Sequence, residues 1–167
     1  NFNEENIIEF NNKISNFKFN AFFAPGNHEF NQENKRKLFK KHFGKSYYSY
    51  QNNKNLFIIL NPYINDWSIK NEQLIFLKNK IIKNQLNVRN IFLIFHPAIF
   101  FEKYKIKISP NSYYGYEKTN FWSEIYPFLQ KFENNFYLIS GDLGAYPGNK
   151  EFFCDRKKNI LLIGTGM

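Results

Sequence analysis

The sequence predicts an α/β domain, and three observations carry that expectation. First, three apolar runs each finish in a short polar segment. Phe22-Phe23-Ala24 leads into Pro25-Gly26-Asn27-His28-Glu29, Ile91 to Phe95 into His96-Pro97, and Tyr137-Leu138-Ile139-Ser140 into Gly141-Asp142. Second, stretches with helical spacing alternate with these β-rich runs, the pattern of helices layered on a sheet. Third, the polar segments hold side chains suited to metal or proton chemistry. That is how a site at the C-terminal ends of strands in an α/β sheet is written in sequence.

In order, Asn3 to Ile14 reads as a short amphipathic helix, with Glu4 and Glu5 at its positive end. Phe17 to Phe23 reads as the first strand, stopped by Pro25-Gly26. Glu33 to Phe43 is a basic helix closed by Gly44. Ser46 to Tyr50 and Asn55 to Leu60 form a hairpin about Gln51-Asn52-Asn53-Lys54. Ser68 precedes a helix from Ile69 to Lys83, with Leu74, Leu77 and Ile81 on one face. Ile91 to Phe95 is the next strand. Ala98 to Lys118 is a long irregular segment, a length that tends to carry function. Thr119 or Asn120 caps a helix to Phe132, with Pro127 inside it. Phe136 to Ser140 is a strand, and Phe152-Phe153 with Asn159 to Ile163 makes a last pair around Asp155-Arg156-Lys157-Lys158.

The chain has 167 residues, about one domain, and 43% of them are hydrophobic, enough for a sizeable core. The excess of Asn, Lys, Ile and Phe matches A/T-rich codons and reads as genomic bias. A net charge of +9 favours anionic partners, but the lysines are spread along the chain apart from Lys35-Arg36-Lys37 and Lys40-Lys41. No nucleic-acid motif accompanies them, so no nucleic-acid partner is expected. Cys154 is the only cysteine, which excludes an internal disulfide and a zinc–thiolate cluster. No apolar run approaches the roughly 20 residues of a membrane span. The chain opens on Asn1 and stops at Gly164-Thr165-Gly166-Met167, directly after an apolar run. Residues 1–167 therefore read as one domain truncated at both ends, and its compartment is left open.

If the three apolar runs share a sheet and a direction, their polar ends share one edge. Asn27 then offers a carbonyl oxygen, His96 a neutral imidazole and Asp142 a carboxylate. This mixed N/O set suits Mn, Fe, Zn or a similar divalent ion. His28, next to Asn27, could face a substrate while Asn27 faces the metal. His42, in the last turn of a basic helix, reads as a surface or capping residue.

These residues resemble the calcineurin-like metallophosphoesterases. Gly26-Asn27-His28-Glu29 resembles that family's Gly-Asn-His-Glu/Asp motif in full, and Ile94-Phe95-His96-Pro97 its histidine after an apolar strand. Phe43 to Tyr50 with Phe57 to Leu60 is similar to the family's hairpin, and Glu72 to Leu77 to the helix that follows. The resemblance implies a layered α/β sandwich of mixed sheets flanked by helices, incomplete here at its N-terminus. It implies two divalent metal ions in the complete parent, with Asn27 and His96 as ligands of one. It also implies that His28 contacts the phosphate and protonates the leaving oxygen during hydrolysis of a phosphomonoester or phosphodiester. The family's Asp-x-His and Gly-Asp-x-x-Asp motifs have no counterpart before Gly26. Its Gly-His-x-His corresponds to Gly141-Asp142-Leu143-Gly144, where Asp142 can still ligate and Gly144 cannot.

The long segment after His96 interleaves cations and aromatics. Lys103, Tyr104, Tyr113 and Tyr114 are the expected substrate rim, with tyrosine on a ring and lysine on phosphate. Two readings follow: the C-terminal portion of a phosphoesterase, inactive alone, or a binding or scaffold domain that keeps the fold and a partial metal site.

Overall fold

Three amide side chains start the central strands. Asn55, Asn90 and Asn135 lie side by side in register, and their side chains form a ladder. The Asn90 amide donates to Asn55 at 2.9 Å and the Asn135 amide to Asn90 at 3.1 Å. From this line three parallel strands run toward the edge that carries His96.

A computed structural model of the chain describes residues 2–18, 20–104, 119–144 and 151–166. It is an α/β fold with one mixed sheet of six strands. Strands β1 (Tyr48–Asn52), β2 (Asn55–Ile59), β3 (Asn90–Phe95), β4 (Asn135–Leu143), β5 (Phe152–Lys157) and β6 (Ile160–Gly166) stand in the order β1-β2-β3-β4-β6-β5. β2, β3, β4 and β6 are parallel neighbours, and each edge is an antiparallel hairpin strand. Helices α1 (Glu4–Ser15), α2 (Asn27–Phe30), α3 (Glu33–Phe43), α4 (Asn71–Asn84) and α5 (Tyr126–Leu129) complete the described elements, with α5 entered through a π-helical turn at Phe121–Ile125.

Alternation divides the sheet's two faces. Leu56, Ile58, Ile91, Leu93, Phe136, Leu138, Ile160 and Leu162 point to one face and are almost fully buried. Leu77 and Ile81 of α4, with Phe121, Ile125 and Leu129, close over them. Each such aliphatic side chain contributes roughly 1.5–3 kcal/mol of burial. The opposite face carries a ladder of rings instead. Phe22 stacks on Tyr50 at 3.8 Å, and Tyr50, Phe57, Phe92 and Tyr137 follow at 4.7 Å intervals. Phe57, Phe92 and Tyr137 are only half-buried, as are Ile94, Ile139, Leu161 and Ile163 along the same face.

Buried and half-buried asparagines pin the loops. The Asn120 amide donates to the Ile69 carbonyl at 2.8 Å and its oxygen accepts from the Ile69 N–H at 3.0 Å. The Asn134 amide reaches the carbonyls of Gln85 and Val88, and the Asn159 amide those of Phe132 and Asn134. A residue type read in the sequence as genomic bias thus satisfies backbone groups that burial would otherwise leave unpaired.

Two expected elements differ. Within Phe17–Phe23 the described residues form no strand. Phe23 packs against Phe10 and Phe43, and both its backbone polar groups go to one side chain: its N–H donates to the Tyr48 hydroxyl at 2.8 Å, and that hydroxyl donates to its carbonyl at 3.1 Å. The β-rich composition is used for ring packing, with Tyr48 replacing a strand partner. Asp155–Lys157, expected in a turn, belongs to β5, and the turn falls at Lys158, whose φ is 57°.

Candidate functional site

His96 follows β3 directly, as expected. Its carbonyl accepts from Ser140 Oγ at 2.9 Å and from the Gly141 N–H at 3.1 Å, so β4 fixes its backbone. β4 and β6 then lose register between Ser140 and Leu143. Asp142 therefore lies inside β4, in this irregularity, not in a loop beyond the strand. Such irregularities re-aim side chains. Here Asp142, with its side chain 2% exposed, puts Oδ1 3.5 Å from His96 Nε2. That is longer than a strong hydrogen bond.

The imidazole lies between two glycine backbones. A Cβ on Gly26 would stand 3.3 Å from His96 Cδ2, and one on Gly141 would stand 3.7 Å from Nδ1. The tilted Tyr63 ring is 6.2 Å from the His96 ring, centroid to centroid, and packs edge-on against Trp67. Burial pushes the His96 pKa below its ordinary value. Asp142 and Glu29 pull it back up and His28 adds to the lowering, but burial prevails. The contact with Asp142 is thus one between a neutral imidazole and a carboxyl group at neutral pH, a state suited to ligation or proton acceptance.

Asn27 and His28 sit in α2, not in a loop after a strand. Glu29 explains the helix: its carboxylate accepts from the Gly26 N–H at 2.7 Å, half of a capping box, to which glycine adds no side chain. At the other end Arg36 Nε donates to the Phe30 carbonyl at 2.9 Å and ties α2 to α3. His28 is exposed and Asn27 half-buried. The Gly26 contact brings the start of α2 to His96, and the same helix lies against the 3₁₀ turn Pro62–Ile64.

That turn follows Asn61. Asn61 is fully buried at the C-terminal end of β2. Its backbone N–H donates to Gln73 Oε1 at 2.6 Å, and its carbonyl accepts from Gln73 Nε2 at 2.9 Å. Its Oδ1 accepts from the Tyr63 N–H at 3.2 Å, while its buried Nδ2 has no hydrogen-bond partner among the described residues. The spacing Gly26 to Glu29 was a readable capping signal. Nothing local marks Tyr48, Asn61 or Gln73.

The expected rim divides. Tyr104 is 5% exposed, packs against Phe100 and Phe153, and its hydroxyl donates to Asp155 Oδ2 at 2.5 Å. Burial first, and then Asp155, raise its pKa. It is a core residue with no ring face open to a ligand. Lys103 is exposed, with Nζ 4.1 Å from the Trp122 ring centroid. Tyr113 and Tyr114 lie outside the described residues.

No protein-family model, curated protein or solved structure matches this chain. As for a metal, His96 and Asp142 offer a nitrogen and an oxygen from adjacent strands. Among the described residues, however, no three His, Cys, Asp or Glu side chains gather closely enough to hold one. The pair fits part of one ligand set and falls short of a dinuclear centre. Gly144, which the resemblance sets against a histidine, has a φ of +83°, and a Cβ there would lie 2.9 Å from Glu151 Cα. A histidine does not fit that backbone.

Proposed function

We propose that this chain is the C-terminal part of a metal-dependent phosphoesterase of the calcineurin-like type, acting on phosphomonoesters or phosphodiesters once its upstream ligands are present. The supporting observation is the imidazole of His96 held between Gly26 and Gly141 beside Asp142, which joins the two most intact motifs of the resemblance. In this reading Asn27, His96 and Asp142 hold one divalent ion (Mn, Fe, Zn or similar), and a second is held largely from upstream. The metals supply a polarised phosphoryl group and an activated water. Exposed His28 protonates the leaving oxygen. The half-buried aromatic face supports a layered sandwich, because parallel sheets are ordinarily covered on both faces; a second sheet on that face is part of the proposal.

The test is to assay an aryl phosphate with Mn²⁺ using the chain joined to its native upstream sequence. Asn27→Ala and His28→Ala should each cost at least 100-fold in turnover, the scale of a lost proton donor or ligand. Turnover unchanged by both substitutions would sink the proposal. The 167 residues alone should bind Mn²⁺ weakly and hydrolyse little. The second reading, a non-catalytic binding or scaffold domain, is favoured by Gly144 and by the short ligand set. Upstream Asp-x-His and Gly-Asp-x-x-Asp motifs would count heavily against it.

A further inference from the structure

A groove of about 690 Å³ opens between α3, β1 and α4. Its volume is within the range of small-molecule sites. Among the described residues four cations line it, namely Arg36, Lys40, Lys45 and Lys80, and no carboxylate does. This is not the ordinary surface pattern of the same helix. On α3, Lys37 pairs with Glu33 at 2.8 Å and Lys41 with Glu4, and neither lysine lines the groove. Two of the cations that do line it are held by rings and a carbonyl. Arg36 stands 6.0 Å from the Phe30 ring centroid with its Nε on the Phe30 carbonyl, and Lys80 stands 5.6 Å from that of Phe76. Among the described residues no salt bridge engages Lys40, Lys45 or Lys80.

The rest of the lining is aromatic. Tyr47 and Phe76 meet edge-to-face at 5.3 Å, both half-buried, above the buried rings of Phe30 and Phe39. A half-exposed ring pair accepts a planar group in stacked or edge contact. Uncompensated cations at the mouth attract an anion, most strongly a dianion.

We propose that this groove binds a small organic phosphate with an aromatic body, its ring against Tyr47 and Phe76 and its phosphate among Arg36, Lys40, Lys45 and Lys80. The site is separate from the His96 cluster and stands whether or not that cluster is catalytic. Phe30, the last residue of α2 and part of the groove floor, links them, with Arg36 on its carbonyl.

The probe is (1-naphthylmethyl)phosphonate, which a phosphoesterase cannot hydrolyse, titrated calorimetrically into the 167-residue chain. It should bind at least tenfold more tightly than inorganic phosphate and than 1-naphthalenemethanol. A unit charge about 4 Å away in water is worth roughly fivefold in affinity. Lys45→Gln with Lys80→Gln should therefore weaken the phosphonate about 25-fold and leave naphthalenemethanol unchanged. Tyr47→Ala should weaken both aromatic probes and spare phosphate. His96→Asn should change none of them. Binding no tighter than phosphate, indifference to the double substitution, or loss on His96→Asn would each overturn the proposal. Lys40→Glu, at an exposed position, gives a second variant of the same sign should the double one unfold.

Discussion

Replacing Gln73 by leucine tests how the edge carrying His96 is held. Gln73 is 2% exposed, and its amide pairs with both backbone polar groups of fully buried Asn61, at 2.6 and 2.9 Å. Leucine has similar volume but strands that N–H and that carbonyl. Each unsatisfied buried group costs about 1–3 kcal/mol. Burying leucine in place of an amide returns about 1–2 kcal/mol. At the midpoints two stranded groups cost about 4 kcal/mol and leucine returns about 1.5 kcal/mol, a net loss of about 2.5 kcal/mol, read as a lower urea midpoint at unchanged slope. A loss of 3 kcal/mol lowers the melting temperature by about 6–12 °C at this chain length. Gln73→Glu sharpens the test. Its carboxylate still accepts from the Asn61 N–H but faces the carbonyl, so its folded pKa is raised. The variant's stability should therefore be greatest at acidic pH and fall as pH rises through that pKa. A Gln73→Leu loss under 0.5 kcal/mol, or a Gln73→Glu profile parallel to the parent's, would show that the pairing does not hold this edge.

Two other outcomes are expected. Because the folded pKa of His96 lies below its ordinary 6.5, the unfolded chain takes up a proton more readily, and stability should fall as pH drops below 6.5. His96→Asn should flatten urea-derived stability between pH 7.5 and 5.5, above the range where carboxylates titrate; equal slopes in parent and variant would refute it. Gly144→Ala should destabilise by at least about 1–2 kcal/mol, from a φ of +83° and a Cβ 2.9 Å from Glu151 Cα. A neutral result there would show that this backbone does not require glycine.

What the sequence conveyed divides by the range of the interaction. α3 matches its expected bounds, Glu33 to Phe43, because acids, periodicity and Gly44 all lie within the helix. The hairpin and α4 were legible for the same reason, and β3 placed His96 correctly. Phe17–Phe23 misled because β propensity describes half-buried aromatic surface, not pairing, and the partner is a tyrosine hydroxyl 25 residues away. Asp142 misled because a strand irregularity leaves no local mark; glycine was read as the strand's end when the ladder resumes at Leu143. Tyr104 carried the composition of a binding rim, yet its partner, Asp155, is 51 residues on. The site's ingredients are legible locally, while the contacts that gather them, Gly26 and Gly141 on either side of one imidazole, are long-range.

The ring ladder has an optical consequence. From Phe22 through Tyr50, Phe57 and Phe92 to Tyr137, the rings are close enough and nearly parallel enough for their electronic transitions to couple. Coupled transitions in a twisted stack give circular dichroism that isolated rings lack. The signal requires β1, β2, β3 and β4 to be in register at one level, so it reports that half of the sheet and is silent about α1 and the β5–β6 hairpin. Anything that docks flat on that face and tilts the rings changes it even where the backbone stays in place. The chain thus carries its own label for the aromatic side of the sheet.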